Sequence, residues 1–246
     1  MINNVNIIIT TFDRQSALCA LLASITKFIP IPEENIIVVN NGNYKVFYES
    51  PPEIEQFLPS CHTVIELPFD AGISASRNKG IELCKENWAL IMEDDFCAHE
   101  GTNVEAMLET AQRSKADIVG GKVLKPTGEH IQYEFTYRLG DRILHLYPID
   151  YDLEFSLCDI VSNWMLIKRE VAIRCPWDNE QKVIEHLDFF LSASQKNCRV
   201  AWCNESSILH RKFSGPGINR KPENIVGFYW NRFFKKWDIN NIIEHR

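Results

Sequence analysis

In Trp88-Ala-Leu-Ile-Met-Glu-Asp-Asp-Phe96, five apolar or aromatic residues run straight into three consecutive carboxylates. Such a run predicts a buried strand, and a buried strand delivers the residues after it to the edge of a sheet. In an open α/β sheet that edge is where ligands bind. Three adjacent anions repel one another, so Glu93, Asp94 and Asp95 are expected to share a cation or a hydroxyl-rich ligand. An all-oxygen donor set favours a hard ion, Mg²⁺ or Mn²⁺, over zinc. Taken alone, the triplet reads equally well as a solvated acidic turn.

Upstream, Val5 to Thr10 predicts a first buried strand, and Leu18, Leu21, Leu22, Ile25 and Phe28 recur at helical spacing until Pro30 and Pro32 stop them. Ile36 to Val39 is a second strand, ending in Asn40-Asn-Gly42. This β-loop-α-β alternation predicts a parallel, right-handed unit. Residues 43 to 62 read as a surface excursion, and Val64 to Leu67 as a third strand. Asp70-Ala-Gly-Ile-Ser-Ala-Ser-Arg-Asn-Lys-Gly80 enters a helix extending to about Asn87. A glycine loop feeding a helix binds anions, so the Gly72 turn is a candidate phosphate cradle, with charge added by Arg77 and Lys79.

Downstream, a helix is expected over Thr102 to Ser114 and a strand over Asp117 to Gly121. The β-prone, aromatic stretch 125–158 predicts an inserted hairpin or flap. Further strands are expected at Val161 to Ile167, Val200 to Cys203 and Ser207 to Lys212, with a helix over Ile184 to Lys196. The fold class is therefore α/β, a mixed and mainly parallel sheet with helices on both faces.

Hydrophobic residues at 45% and charged residues at 24% are ordinary for a globular chain of 246 residues. A net charge of −7 argues against nucleic acid as a partner. The eight cysteines form no Cys-x-x-Cys pair, which predicts reduced thiols and a cytoplasmic setting. Neither a signal peptide nor a run of about 20 apolar residues is present in the sequence given.

The order Thr10-Thr-Phe-Asp-Arg14, Asn40-Asn-Gly42, Ala71-Gly-Ile-Ser-Ala-Ser-Arg-Asn-Lys-Gly80 and Glu93-Asp-Asp95 resembles the nucleotide-sugar half of a GT-A glycosyltransferase of the family 2 type. Ser162-Asn-Trp164, Glu185-His-Leu-Asp-Phe-Phe-Leu191 and His210 are similar to the acceptor half of such enzymes, most nearly the ganglioside-type β-1,4-N-acetylgalactosaminyltransferases. The resemblance implies one domain over residues 1–215, with a nucleotide-sugar half to about residue 100 and an acceptor half over 101–215. It also implies an inverting, metal-dependent transfer of a hexose, GalNAc or GlcNAc from a UDP-linked donor to a glycan or glycolipid hydroxyl.

By the same resemblance, Thr10, Thr11, Phe12 and Arg14 border the nucleoside, Asn41 lies near the base, and Arg77 and Asn78 face base or diphosphate. Glu93 takes the first place of the Asp-X-Asp (DXD) motif, where relatives carry Asp, with Asp94 beside it. Asp95 takes the metal-binding last place and His210 matches a C-terminal metal ligand. Arg211 and Lys212 are placed to neutralise the leaving diphosphate. Asn163 and Trp164, with the flap, fall on the acceptor side. A sugar-phosphate nucleotidylyltransferase is the competing enzyme class, yet the loop after strand one carries no glycine. A non-catalytic carbohydrate-binding domain leaves the triplet and His210 without purpose.

On the 184–196 helix, Leu187, Phe190 and Leu191 form a buried stripe flanked by Asp188 and His186, with Glu185 a turn before Asp188. A carboxylate at a core boundary suits a general base, so Asp188 is the first choice, with Glu185 and His186 as alternates. Residues 216–246 hold a last helix, in which Val226, Tyr229, Trp230, Phe233, Phe234 and Trp237 share one arc and Arg232, Lys235 and Lys236 lie opposite. Residues 223–238 are thus expected either to touch a membrane surface, peripherally on its inner face, or to pack on the main sheet or a second subunit.

Overall fold

The computed structural model describes residues 2–43, 63–211 and 223–245. Lys212 and the excursion at 43–62 therefore lie, wholly or almost wholly, outside the described residues. The first half supplies strands β1 (Val5–Thr11), β2 (Ile36–Asn40), β3 (Thr63–Glu66), β4 (Trp88–Glu93) and the short β5 (Phe96–Cys97). The second half supplies β6 (Ile118–Leu124), β7 (Phe135–Gly140), β8 (Ile143–Pro148), β9 (Phe155–Cys158), β10 (Met165–Lys168), β11 (Val200–His210) and β12 (Asn241–Glu244). The α-helices are α1 (Gln15–Phe28), α2 (Ile73–Leu83), α3 (Val104–Ser114), α4 (Arg169–Arg174), α5 (Glu185–Gln195) and α6 (Glu223–Trp237).

The main sheet runs β3-β2-β1-β4-β10-β6-β11-β5, with β9 also paired to β11. The first four strands are parallel neighbours, and β10 enters antiparallel between β4 and β6. Every residue of β1 and β2 is buried, as expected of strands covered on both faces. Side chains alternate between the two sides. Ile7 and Ile9 pack with Leu18, Leu21, Leu22 and Ile25 of α1. Ile8 packs with Ile81 beneath α2. That second contact is close enough that a Cβ on Gly80 would overlap the Ile8 side chain.

Three boundaries depart from expectation for identifiable reasons. The helix predicted to reach Asn87 ends at Leu83, because Asn6 Oδ1 accepts the Lys85 and Glu86 N–H groups, both at 2.9 Å, and draws that backbone out of the helix. The two strands expected after residue 200 are one strand, whose register shifts between Trp202 and Ser207. The strand expected from Val161 begins only at Met165.

The flap is a hairpin of β7 and β8, turned at Asp141 and Arg142, both with positive φ as a two-residue hairpin turn of this hand requires. It is not free-standing: β12 adds to β8 in parallel, making a three-stranded sheet. The C-terminal helix packs on the body of the protein. Phe233 is fully buried, and Phe234 and Trp237 pack against the same core. Arg232 bonds Asp178 at 2.9 Å and Glu180 at 3.0 Å, and Lys236 bonds Asp178 at 3.0 Å and Asp188 at 2.8 Å. Two of the cations expected to face an anionic surface are therefore turned onto the protein's own carboxylates. No helix among the described residues is long and apolar enough to cross a membrane. All seven cysteines described are free thiols.

Candidate active site

The C-terminal ends of β1, β2 and β4 converge where the strand order reverses, between β1 and β4, the position at which open α/β sheets bind ligands. The register sets Thr10 opposite Glu93. Beyond it the Thr11 hydroxyl donates to Asp94 Oδ2 at 2.7 Å, and the Asn41 amide donates to the Thr11 carbonyl at 3.2 Å. Phe12 lies against Phe69, ring centroids 5.5 Å apart, and Phe69 is 57% exposed. Thr10, Thr11, Phe12, Arg14, Asn41 and the acidic triplet thus share one sheet edge.

The triplet does not act as a single cage; its repulsion is relieved by two arginines. Arg14 bonds Asp94 Oδ1 and Asp95 Oδ2, both at 2.6 Å. Arg77 bonds Glu93 Oε1 at 3.1 Å. Glu93 Oε1 also accepts the Asn163 amide at 2.6 Å. Loss of water pushes the Asp94 carboxyl up to about 7, against the pull of Arg14 and of the Thr11 hydroxyl. Burial alone would raise Asp95 as well, but the hydrogen bond from His210 and the charge of Arg14 hold it below the usual carboxylate range. His210 is raised in turn, first by that bond.

His210 reaches the site because β11 pairs with β5, His210 opposite Phe96, which sets its Nε2 3.4 Å from Asp95 Oδ2. The other oxygen, Asp95 Oδ1, is buried without a hydrogen-bond partner. An open carboxylate oxygen beside an imidazole offers one oxygen and one nitrogen donor, a pair that fits a divalent ion drawing its remaining ligands from elsewhere and that suits Mn²⁺ better than Mg²⁺. Among the described residues no group of three His, Cys, Asp or Glu side chains is arranged to hold a metal alone.

Arg77 corrects the expectation that it faces base or diphosphate. It is fully buried and bridges two elements, donating to Glu93 and, at 3.3 Å, to Glu185 at the start of α5. Its guanidinium also lies 5.7 Å from the Trp177 ring centroid. Asn78 is likewise spent on structure, donating to the Trp177 carbonyl at 2.8 Å and accepting the Trp177 N–H at 3.0 Å.

The three base candidates separate cleanly. Asp188 is 1% exposed and turned to the C-terminal helix, accepting from Lys236 Nζ and Trp237 Nε1, both at 2.8 Å. It is an anchor for α6, to which both of these side-chain hydrogen bonds go. His186 donates through Nε2 to the Val161 carbonyl, which fixes the proton on that nitrogen. Burial, with the nearby Arg77 charge, pushes it down to about 3, so it stays neutral. Glu185 alone joins the cluster.

On the acceptor side Asn163 keeps its place beside Glu93, but Trp164 does not. It is fully buried beneath Gly121, where any Cβ would strike its indole, and presents no face to a ligand. Gly72 caps α2 with φ 96° and lies against Lys182, which bonds the Asp70 carbonyl and, at 3.2 Å, Asp70 Oδ2. Arg211 is exposed, its N–H donated to the Asp95 carbonyl at 2.8 Å. Trp177 and Lys182 carry no motif that marks them. Tyr133 packs 5.4 Å from the His186 ring and falls within the flap expected on the acceptor side, in the aromatic run Tyr133-Glu-Phe135.

A model of glycosyl transferase family 2 matches residues 6–175. The β-1,4 N-acetylgalactosaminyltransferase 1 of Rattus norvegicus is 27% identical over 228 residues, 86% of this chain and 40% of that protein. This chain thus spans about two-fifths of that curated relative. The uncharacterized glycosyltransferase YwdF of Bacillus subtilis (strain 168) is 33% identical over 234 residues, 89% of this chain and 78% of that one. Among solved structures, S. aureus TarS 1-349 in complex with UDP-GlcNAc superposes with a TM-score of 0.68 at 14% identity, covering 95% of this chain and 66% of that one.

Proposed function

Because the chain belongs to glycosyl transferase family 2, we propose that it transfers a hexose or N-acetylhexosamine from a UDP-linked donor to a hydroxyl of a glycan or glycolipid, with inversion at the anomeric carbon. The relatives' names support the sugar class, and the UDP-GlcNAc complex of the superposed structure supports the donor. The observation that carries the mechanism is the buried Arg77, which joins Glu185 to Glu93, two residues before Asp95, whose carboxylate lies beside His210.

In this reading the nucleoside lies along Thr10, Thr11 and Asn41, with Phe12 and Phe69 offering aromatic faces to the base. Asp95 and His210 hold the divalent ion, which when bound supplies positive charge to the departing diphosphate. Arg211, at the exposed rim, adds to that field. Glu93 and Asn163 form a hydrogen-bonded floor beneath the transferred sugar. Glu185 takes the proton of the attacking hydroxyl as its oxygen bonds to the anomeric carbon and the bond from that carbon to the diphosphate oxygen breaks. Arg77 fixes where the Glu185 carboxylate sits and keeps it from swinging to solvent.

A donor panel of UDP-hexoses, followed by NMR of the product's anomeric proton, tests this. An α-linked donor is expected to give a β-linked product. Retained configuration would refute a single displacement, and absence of UDP release from every donor would refute the donor class.

A further inference from the structure

A buried carboxylate that takes no part in the proposed transfer points to a neighbouring ring. Glu134 is fully buried, accepts the Tyr133 backbone N–H at 3.0 Å and pairs with His130 at 3.3 Å. His130 stacks on Trp202 and meets Tyr151 edge-on, and the Tyr151 hydroxyl donates to the Glu134 carbonyl at 3.2 Å. Glu134 Oε1 is buried without a hydrogen-bond partner, while the bonds to Oε2 and to the Glu134 carbonyl hold one short stretch of backbone. The residue so fixed, Tyr133, is 40% exposed although its ring is wedged between His186 at 5.4 Å and Phe135 at 5.9 Å. Tyr133 therefore keeps part of its surface open to solvent while two aromatic neighbours hold its ring.

That seat adjoins the proposed base. His186 follows Glu185 on α5, and the Tyr133 hydroxyl is raised by burial and by the nearby Glu185 and Glu244 charges. We propose that Tyr133 is the platform against which the acceptor sugar packs, setting the acceptor hydroxyl beside Glu185; this rests on the sugar-transfer reading. An aromatic ring held at a fixed angle suits the apolar face of a hexose and carries little ordering cost.

The test is saturation-transfer NMR on the full chain loaded with UDP and Mn²⁺, using methyl β-galactoside, methyl β-glucoside and methyl β-N-acetylgalactosaminide as probes. Calorimetric UDP uptake is measured in parallel on wild type, Tyr133→Ala and Tyr133→Phe. At least one hexoside is expected to contact wild type and Tyr133→Phe, and to bind Tyr133→Ala about tenfold more weakly, with equal UDP uptake by all three. An unchanged hexoside signal in Tyr133→Ala overturns the proposal. So does a UDP-loaded wild type that contacts none of the probes. A wild type that takes up no UDP overturns the transfer reading itself, and this inference with it.

Discussion

Replacing Asp188 by Asn separates an anchor from a catalyst. Asp188 is 1% exposed and accepts from Lys236 Nζ and Trp237 Nε1, both at 2.8 Å. Removing one member of a buried ion pair costs about 3–5 kcal/mol when the remaining charge is stranded. Lys236 is not stranded: its side chain is 34% exposed and keeps Asp178 at 3.0 Å. The Asn carbonyl can also still accept from the Trp237 indole. The expected loss is therefore smaller, about 1–2 kcal/mol. For a domain of this size that lowers Tm by about 2–8 °C, read by thermal denaturation followed by circular dichroism. UDP uptake should be unchanged, and turnover should stay within about threefold of wild type. An unchanged Tm together with lost turnover would refute the anchoring role and return Asp188 to the position of base.

Arg77→Lys leaves one ammonium where a planar fork bridged Glu93 and Glu185; kcat is expected to fall about 100-fold with UDP uptake preserved, in single-turnover and calorimetric assays. Gly80→Ala gains about 1 kcal/mol of helix propensity but forces a methyl into Ile8, so urea unfolding should show a net loss within the overpacking range of about 1–3 kcal/mol. His186 sits at about 3 in the folded chain against 6.5 unfolded, so the unfolded chain binds the extra proton between those values. Stability is then lost as pH falls below 6.5, at up to about 1.4 kcal/mol per pH unit. His186→Gln should flatten that slope when urea midpoints at pH 7 and 4.5 are compared, and an unchanged slope would contradict a buried neutral imidazole.

The sheet edge that carries Thr10, Thr11, Asn41 and the acidic triplet was legible in the sequence because its parts are local. Apolar runs ending in polar residues mark buried strands, and Thr10, Thr11, Phe12 and Asn41 reach the site simply by leaving β1 and β2. Partnerships across long separations were not legible. Nothing near Asp94 announces that Arg14 answers it, and nothing near Glu93 announces Arg77. The partners of Asp188 were hidden for the same reason: periodicity placed Asp188 at a core boundary, but the element that covers that boundary is α6, nearly 50 residues later. Trp164 reads alike as platform or core until Gly121 is found packed against its indole. The pairing of β12 with β8 is a further non-local choice, unsignalled by the four residues Asn241–Glu244.

Titration calorimetry of UDP with and without Mn²⁺ separates a metal-dependent donor site built on Asp95 and His210 from a base at Glu185. Wild type and Glu185→Gln should both give heat that requires the metal, Glu185→Gln nonetheless failing to turn over, while Asp95→Asn loses the metal-dependent component. Equal UDP binding by Asp95→Asn and wild type in the presence of Mn²⁺, or normal turnover by Glu185→Gln, would contradict that division of roles.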